Sequence, residues 1–132
     1  MTSLADLLSR ADFVSINCDL NPTSLRLINQ ETLAKMRSSA VLINTARGKI
    51  VDEKALIHAL ENGMLAGAAL DVFEVEPIPS GSPLLGMDNV ILAPHNANSS
   101  PTAWEQVHWN TIRNLLDGLD ISYRGDEIEH LP

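Results

Sequence analysis

The sequence predicts an α/β fold: a partial doubly wound parallel sheet of about four strands, with flanking helices and a long C-terminal helix. Segments with strand patterns alternate along the chain with segments of helical spacing, which is typical of parallel strands joined by right-handed crossovers. The run AVLIN, residues 40–44, is almost wholly apolar, as in strands that are buried on both faces of a parallel sheet. Complete sheets of this class usually have about six strands, built as two halves, so a sheet of four strands is small.

The first two elements are a short helix and a strand. Ser3 can cap a helix by accepting a backbone hydrogen bond, and three leucines of that helix share one face: Leu4, Leu7 and Leu8. Residues 12–18 alternate and are rich in strand-forming side chains, which predicts the first strand.

The middle of the chain repeats this alternation. Asn29 is placed to cap a second short helix that carries Leu33 and Met36, and residues 40–44 form the next strand. Asp52 can cap a third helix, which we expect to stop at Gly63. Its apolar side chains recur at helical spacing: Ala55, Leu56, Ala59 and Leu60.

Two further strands, at 67–73 and 89–95, enclose a Pro-rich and Gly-containing loop at 76–87. The longest helix follows, capped by Ser100 and ending at Gly118. The acidic residues 119–132 are predicted to form a C-terminal tail.

The longest helix carries one apolar stripe. We expect Trp104 to pack in the core and Trp109 to pack against a neighbouring domain or subunit. The stripe consists of Trp104, Val107, Thr111, Ile112, Leu115 and Leu116.

Composition limits the classes of partner. The chain has 132 residues, the length of one domain, and its net charge of -8 argues against nucleic acid or an anionic membrane as a partner. Its single cysteine, Cys18, cannot form an internal disulfide, so a cytoplasmic location is expected. No stretch approaches the roughly 20 apolar residues that a membrane span needs.

Charged and titratable side chains follow three of the predicted strands. Arg47 follows strand 40–44, Glu74 and Glu76 follow strand 67–73, and His95 stands at the end of strand 89–95. Each alone has an ordinary explanation as a surface residue, but the carboxyl ends of neighbouring parallel strands lie at one edge of a sheet, where ligands bind.

These residue types suit the interconversion of a 2-hydroxy acid and a 2-oxo acid. Arg47 can bind the substrate carboxylate with two charge-assisted hydrogen bonds, and His95 can accept or return the hydroxyl proton. Glu76 can orient the imidazole and favour its charged form. No side chain accepts a hydride, so a nicotinamide cofactor is required. A metal-dependent hydrolase is disfavoured because no second histidine stands at ligand spacing.

Three ordered segments resemble the D-isomer-specific 2-hydroxyacid dehydrogenase family. They are NTARGKIVDEKAL at 44–56, GAALDVFEVEP at 67–77 and NVILAPHNA at 89–97, and the likeness extends over about residues 4–118. The resemblance implies that this is the second half of a Rossmann-type NAD-binding domain, at residues 1–118.

The resemblance also implies a role for individual residues. Arg47 would bind the substrate, Glu76 would be the carboxylate partner, and His95 would be the acid/base. The cofactor is expected to be NAD, with NADP not excluded, and the substrate a small 2-hydroxy or 2-oxo acid. The implied cofactor-binding residues are Cys18, Thr45, Ala46, Arg47, Asp71, His95, Asn96 and Ala97.

The glycine-rich turn that would hold the cofactor pyrophosphate is not found in this sequence. A half-sheet exposes a strand edge, so we expect a homo-oligomer or a complementing chain to pair there. The alternative to a dehydrogenase module is a non-catalytic, self-associating remnant of the same fold.

Overall fold

Four parallel strands form one sheet, as the sequence predicts, and each strand pairs with the next one along the chain. The structure is a computed structural model that describes residues 2–97 and 99–121. The strands are β1 at Phe13–Ile16, β2 at Val41–Asn44, β3 at Gly67–Leu70 and β4 at Val90–Leu92.

Three strands, β1, β3 and β4, are shorter than predicted at their carboxyl ends, whereas β2 ends at the predicted Asn44. Residues 71–73 and 93–95 lie beyond β3 and β4, although the N–H groups of Asp71 and Ala93 still donate to the carbonyls of Asn44 and Leu70, at 3.0 and 2.9 Å. These residues therefore belong to loops at the carboxyl edge of the sheet.

The predicted caps are all formed. Ser3, Asp52 and Ser100 each accept from the backbone N–H three residues later, at 3.1 Å in each case. Asn29 and Thr32 form a reciprocal capping box. The helices are α1 at Leu4–Arg10, α2 at Gln30–Leu33, α3 at Glu53–Glu61 and α4 at Pro101–Gly118.

The loop at 76–87 is not wholly irregular, since it contains a 3-10 helix at Pro83–Gly86. A second 3-10 helix, Gly48–Ile50, joins β2 to α3. Beyond α3, Gly63 has a φ of 64°, the left-handed geometry that favours glycine after a helix.

Burial of the strands is one-sided, contrary to the expectation for residues 40–44. Leu42 and Asn44 are buried, whereas Val41 and Ile43 are only half-buried. Ile91, which lies on the same face of the sheet as Ile43, is 72% exposed. In α1, likewise, only Leu8 is buried. The apolar run correctly predicted a strand, but its burial depends on which elements cover each face.

The chain divides into two compact units, Met1–Ala97 and Asn98–Pro132. In the second unit, α4 contains no buried residue, and Trp104 is 53% exposed. The expectation that Trp104 packs in the core is therefore wrong. Its ring instead lies edge-on to His108, with 5.5 Å between the ring centroids. Most of the predicted tail, from residue 122 onward, lies outside the described residues.

Helices that could cross a membrane are not found in the described ranges 2–97 and 99–121.

Candidate active site

The β2 rim, which we define as residues 44–48, carries Arg47 on a loop that is fixed by Asn44. Asn44 ends β2 and is 1% exposed. Its side-chain amide donates to the Arg47 carbonyl at 3.0 Å, and its oxygen accepts from the Ala46 N–H at 3.1 Å. A buried polar side chain therefore sets the backbone of this loop, and these two bonds satisfy it.

Gly48 is required at the β2 rim because another backbone segment touches it. A Cβ there would lie 1.9 Å from the Phe73 carbonyl oxygen and 2.6 Å from the Glu74 nitrogen. Its φ is not in the left-handed region, so close approach rather than conformational freedom demands glycine. This contact sets the spacing between the β2 rim and the loop after β3.

An open cleft of about 650 Å³ lies beside the β2 rim, between the carboxyl ends of β1 and β2. Its volume is within the ordinary range of ligand-binding clefts. Four of the residues that the sequence assigned to the cofactor line it, namely Cys18, Thr45, Ala46 and Arg47. The other lining residues are Ile16, Asn17, Asp19 and Leu20.

The β3/β4 rim, residues 71–76 and 93–97, brings Glu76 and His95 into direct contact. The imidazole Nδ1 lies 2.8 Å from Glu76 Oε2, and the other carboxylate oxygen accepts from the Phe73 N–H at 3.0 Å. An ionised carboxylate can only accept, so Nδ1 carries the proton. The Nε2 atom is then the ring nitrogen that can face a substrate.

Hydrogen bonding keeps Glu76 ionised. The bond from His95 is the largest cause that lowers the pKa of Glu76 below its ordinary value, and the Phe73 N–H lowers it further. The charge of Arg47 lowers this pKa as well, although no ion pair between Arg47 and Glu76 is found in the described part of the chain. The guanidinium donates instead to the Ala46 carbonyl. All three residues predicted to be catalytic therefore lie at one edge of the sheet, and two of them touch.

Asp71 holds the loop that bears His95. Its carboxylate, in a residue that is 4% exposed, accepts from the backbone N–H groups of Asn96 and Ala97, each at 2.8 Å. His95 has a φ of 55°, a left-handed conformation that costs on the order of 1–3 kcal/mol in non-glycine residues. The two charge-assisted bonds offset that strain.

An apolar hollow of about 360 Å³ flanks the Glu76–His95 pair. Its walls also include Phe73, Pro77, Ile78, Leu85, Leu92, Ala93 and Pro94. Apolar walls reduce the access of water to the pair on this side.

Two anchoring roles were not predicted from the sequence. From the sequence, Asn44 is expected only as a strand residue, and Asp71 is expected to contact the cofactor rather than the His95 loop. A polar residue at the end of a buried strand is the signal that could have indicated both. Groups of three side chains able to hold a metal ion do not occur in the part of the chain that the structure describes.

A parallel sheet with a cleft and titratable groups at its carboxyl edge is typical of nucleotide-binding α/β domains. The chain belongs to the D-isomer specific 2-hydroxyacid dehydrogenase family, since the model of that family's NAD-binding domain matches residues 1–97.

Sequence comparison identifies a similar protein in Thermofilum pendens. That protein, a glyoxylate reductase, is 50% identical over 115 residues, which are 87% of this chain and 34% of the relative. The chain therefore spans about a third of the length of the curated relatives that it matches.

Solved structures give the same assignment. A D-isomer specific 2-hydroxyacid dehydrogenase from Xanthobacter autotrophicus, crystallised with NADPH, is 50% identical with a TM-score of 0.69, over 70% of this chain and 29% of that one. The NAD-complexed enzyme from Lactobacillus delbrueckii is 33% identical with a TM-score of 0.79, over 93% and 42%.

Proposed function

We propose that this chain is the part of an NAD(P)-dependent oxidoreductase that carries the acid/base and the substrate-binding arginine. The reaction is the interconversion of a small 2-hydroxy acid and a 2-oxo acid, with glyoxylate a candidate because a relative is a glyoxylate reductase. The observation that carries the proposal is the 2.8 Å contact between Glu76 and His95 beside the β2 rim.

Each residue has one task. Arg47 binds the substrate carboxylate, since its guanidinium is exposed and can form two parallel charge-assisted bonds. His95 accepts the 2-hydroxyl proton at Nε2 in the oxidation and returns it in the reduction. Glu76 fixes the ring orientation and stabilises the imidazolium that forms.

The cofactor fits the cleft beside the β2 rim. Its residues offer both polar and apolar contacts, as a dinucleotide needs, and they include Arg47, whose charge also acts on Glu76. Residues Cys18, Thr45, Ala46 and Arg47 would form one wall, and Asp71, Asn96 and Ala97 would lie toward the nicotinamide. When bound, NAD supplies the hydride acceptor that no side chain provides.

Steady-state assays of the 132-residue chain with NADH and glyoxylate test the proposal. We expect His95→Ala and Arg47→Ala each to lower kcat/KM by about 100-fold or more, which is typical of the loss of an acid/base or of a substrate clamp. His58→Ala and Lys49→Ala are the matched controls, because both side chains are exposed and outside the proposed machinery. Measurable turnover at equal rates in all four variants would contradict the proposal.

The second candidate is a non-catalytic module that associates through the edge of β1. Among the described strands β1 pairs with β2 alone, and Phe13 on it is 71% exposed. Hydrogen exchange at two protein concentrations separates the candidates. Amides of β1 that become protected only at high concentration, together with no binding of NAD by calorimetry, would favour the module.

We propose a cytoplasmic location, because the single cysteine, Cys18, is a free thiol in the structure.

A further inference from the structure

The first residue of α3 and the loop after β3 are joined by two reciprocal hydrogen bonds. The backbone N–H of Glu74 donates to Glu53 Oε2 at 3.1 Å, and the backbone N–H of Glu53 donates to Glu74 Oε1 at 3.4 Å. We call this pair the Glu53–Glu74 clasp. It connects residues that are 21 positions apart in the chain.

Three kinds of interaction offset the repulsion between the carboxylates of Glu53 and Glu74. Each carboxylate accepts a backbone N–H, and the N-terminus of α3 favours negative charge beside it. The Arg26 Nε also lies 4.0 Å from Glu74 Oε1. Both glutamates are only partly exposed, so their contacts are less weakened by solvent than those of a fully exposed pair.

The clasp is close to the proposed chemistry. Glu74 is one residue after Phe73, whose N–H donates to Glu76, and two residues before Glu76 itself. The Phe73–Glu74 peptide also lies against Gly48 of the β2 rim. Segment 73–76 is thus held by the β2 rim on one side and by the start of α3 on another.

We propose that Glu53 is a positioning residue: through the N–H of Glu74 it fixes segment 73–76 and so holds Glu76 against His95. The inference rests on the proposed function for the roles of Glu76 and His95. Because the 3-10 helix Gly48–Ile50 leads directly toward α3, the same residue also fixes the Glu76 loop relative to the loop of Arg47. The proposed substrate-binding residue, Arg47, and the partner of the acid/base, Glu76, are thereby held at a fixed distance from each other.

Two substitutions at Glu53 separate the effect of side-chain length from the effect of charge. Glu53→Asp keeps a carboxylate at the helix N-terminus but is one methylene too short for the N–H of Glu74. Glu53→Gln loses the charge, but its side-chain oxygen can still accept that bond. Glu61→Asp, an exposed position at the other end of α3, is the matched control.

The readout is the carboxyl pKa of Glu76, measured by carbon-13 NMR of the 132-residue chain, with amide exchange of Glu74 measured in parallel. We expect Glu53→Asp to raise this pKa toward the ordinary glutamate value and to speed Glu74 exchange at least about tenfold. Glu53→Gln and Glu61→Asp should produce neither change. A purely stabilising role for Glu53 would change the melting temperature but not the pKa of Glu76.

The inference is overturned if Glu53→Asp leaves the pKa of Glu76 unchanged, or if the Glu74 amide of the unsubstituted chain exchanges at the rate of an unprotected loop. The second measurement decides the matter even if Glu53→Asp does not fold. Failure of the proposed function is read separately, from unchanged turnover in Arg47→Ala and His95→Ala.

Discussion

At the β2 rim, Asn44 fixes the backbone of a loop while the guanidinium of Arg47 remains exposed and donates to the neighbouring Ala46 carbonyl. At the β3/β4 rim the functional side chains themselves are joined, since Glu76 and His95 are in contact and Asp71 holds their loop. One rim is preorganised in its backbone and the other in its side chains as well. The difference suits their proposed tasks, because an acid/base needs a fixed orientation, whereas a clamp completes its hydrogen bonds only when a carboxylate arrives.

Breaking the contact between the two rims should have the largest effect. We expect Gly48→Ala to destabilise the chain by about 3 kcal/mol or more, or to prevent folding, because the new methyl would overlap the Phe73–Glu74 peptide and backbone cannot yield as a side chain can. Urea unfolding measures the change in the free energy of unfolding. Gly81→Ala is the control, since nothing lies within 4 Å of a Cβ there. Equal stability of the two variants would show that the rims are not in contact.

Removing each anchor should affect only its own rim. We expect Asn44→Ala and Asp71→Ala each to lower the free energy of unfolding by about 1–3 kcal/mol, because each leaves backbone groups without a partner. Amide chemical shifts should change chiefly at residues 45–47 in the first variant and at residues 95–97 in the second. Asp88→Ala, at an exposed position, serves as the control. If either variant disturbed both rims equally, the comparison between them would fail.

Acid should weaken the β3/β4 rim by a smaller amount. The pKa of Glu76 is lowered in the folded chain, so its pairing stabilises the fold fully above the ordinary glutamate pKa and is lost as pH falls through the lowered value. Because Glu76 is 37% exposed, the difference from Glu76→Gln near pH 7 should be below about 1 kcal/mol.

Unfolding curves recorded from pH 7 down to pH 3 should show the difference between Glu76→Gln and the unsubstituted chain shrinking toward zero. Glu61→Gln, with an exposed carboxylate, controls for general acid effects. If the difference in the free energy of unfolding between the two chains grew on acidification, the pKa of Glu76 would be raised by folding rather than lowered.

Much of the fold could be predicted because its signals are local. The caps at Ser3, Asn29, Asp52 and Ser100 depend on side chains that bond backbone groups two or three residues away. Parallel pairing follows from the alternation of helices and strands. Arg47, Glu76 and His95 are candidate catalytic residues because each follows a strand. The exposure of Trp104 and the one-sided burial of β2 were not predicted, since burial depends on what covers a face.

The sequence by itself determined which elements form, in what order, and which side chains reach the carboxyl edge of the sheet. Only the tertiary structure decided how those side chains are held. Asp71 bonds amides 25 and 26 positions away, the Glu53–Glu74 clasp spans 21, and Gly48 is dictated by a peptide from another strand end. The physical reason is that helical and strand patterns are encoded within a few neighbouring residues, whereas hydrogen bonds between distant segments exist only once packing has set their register.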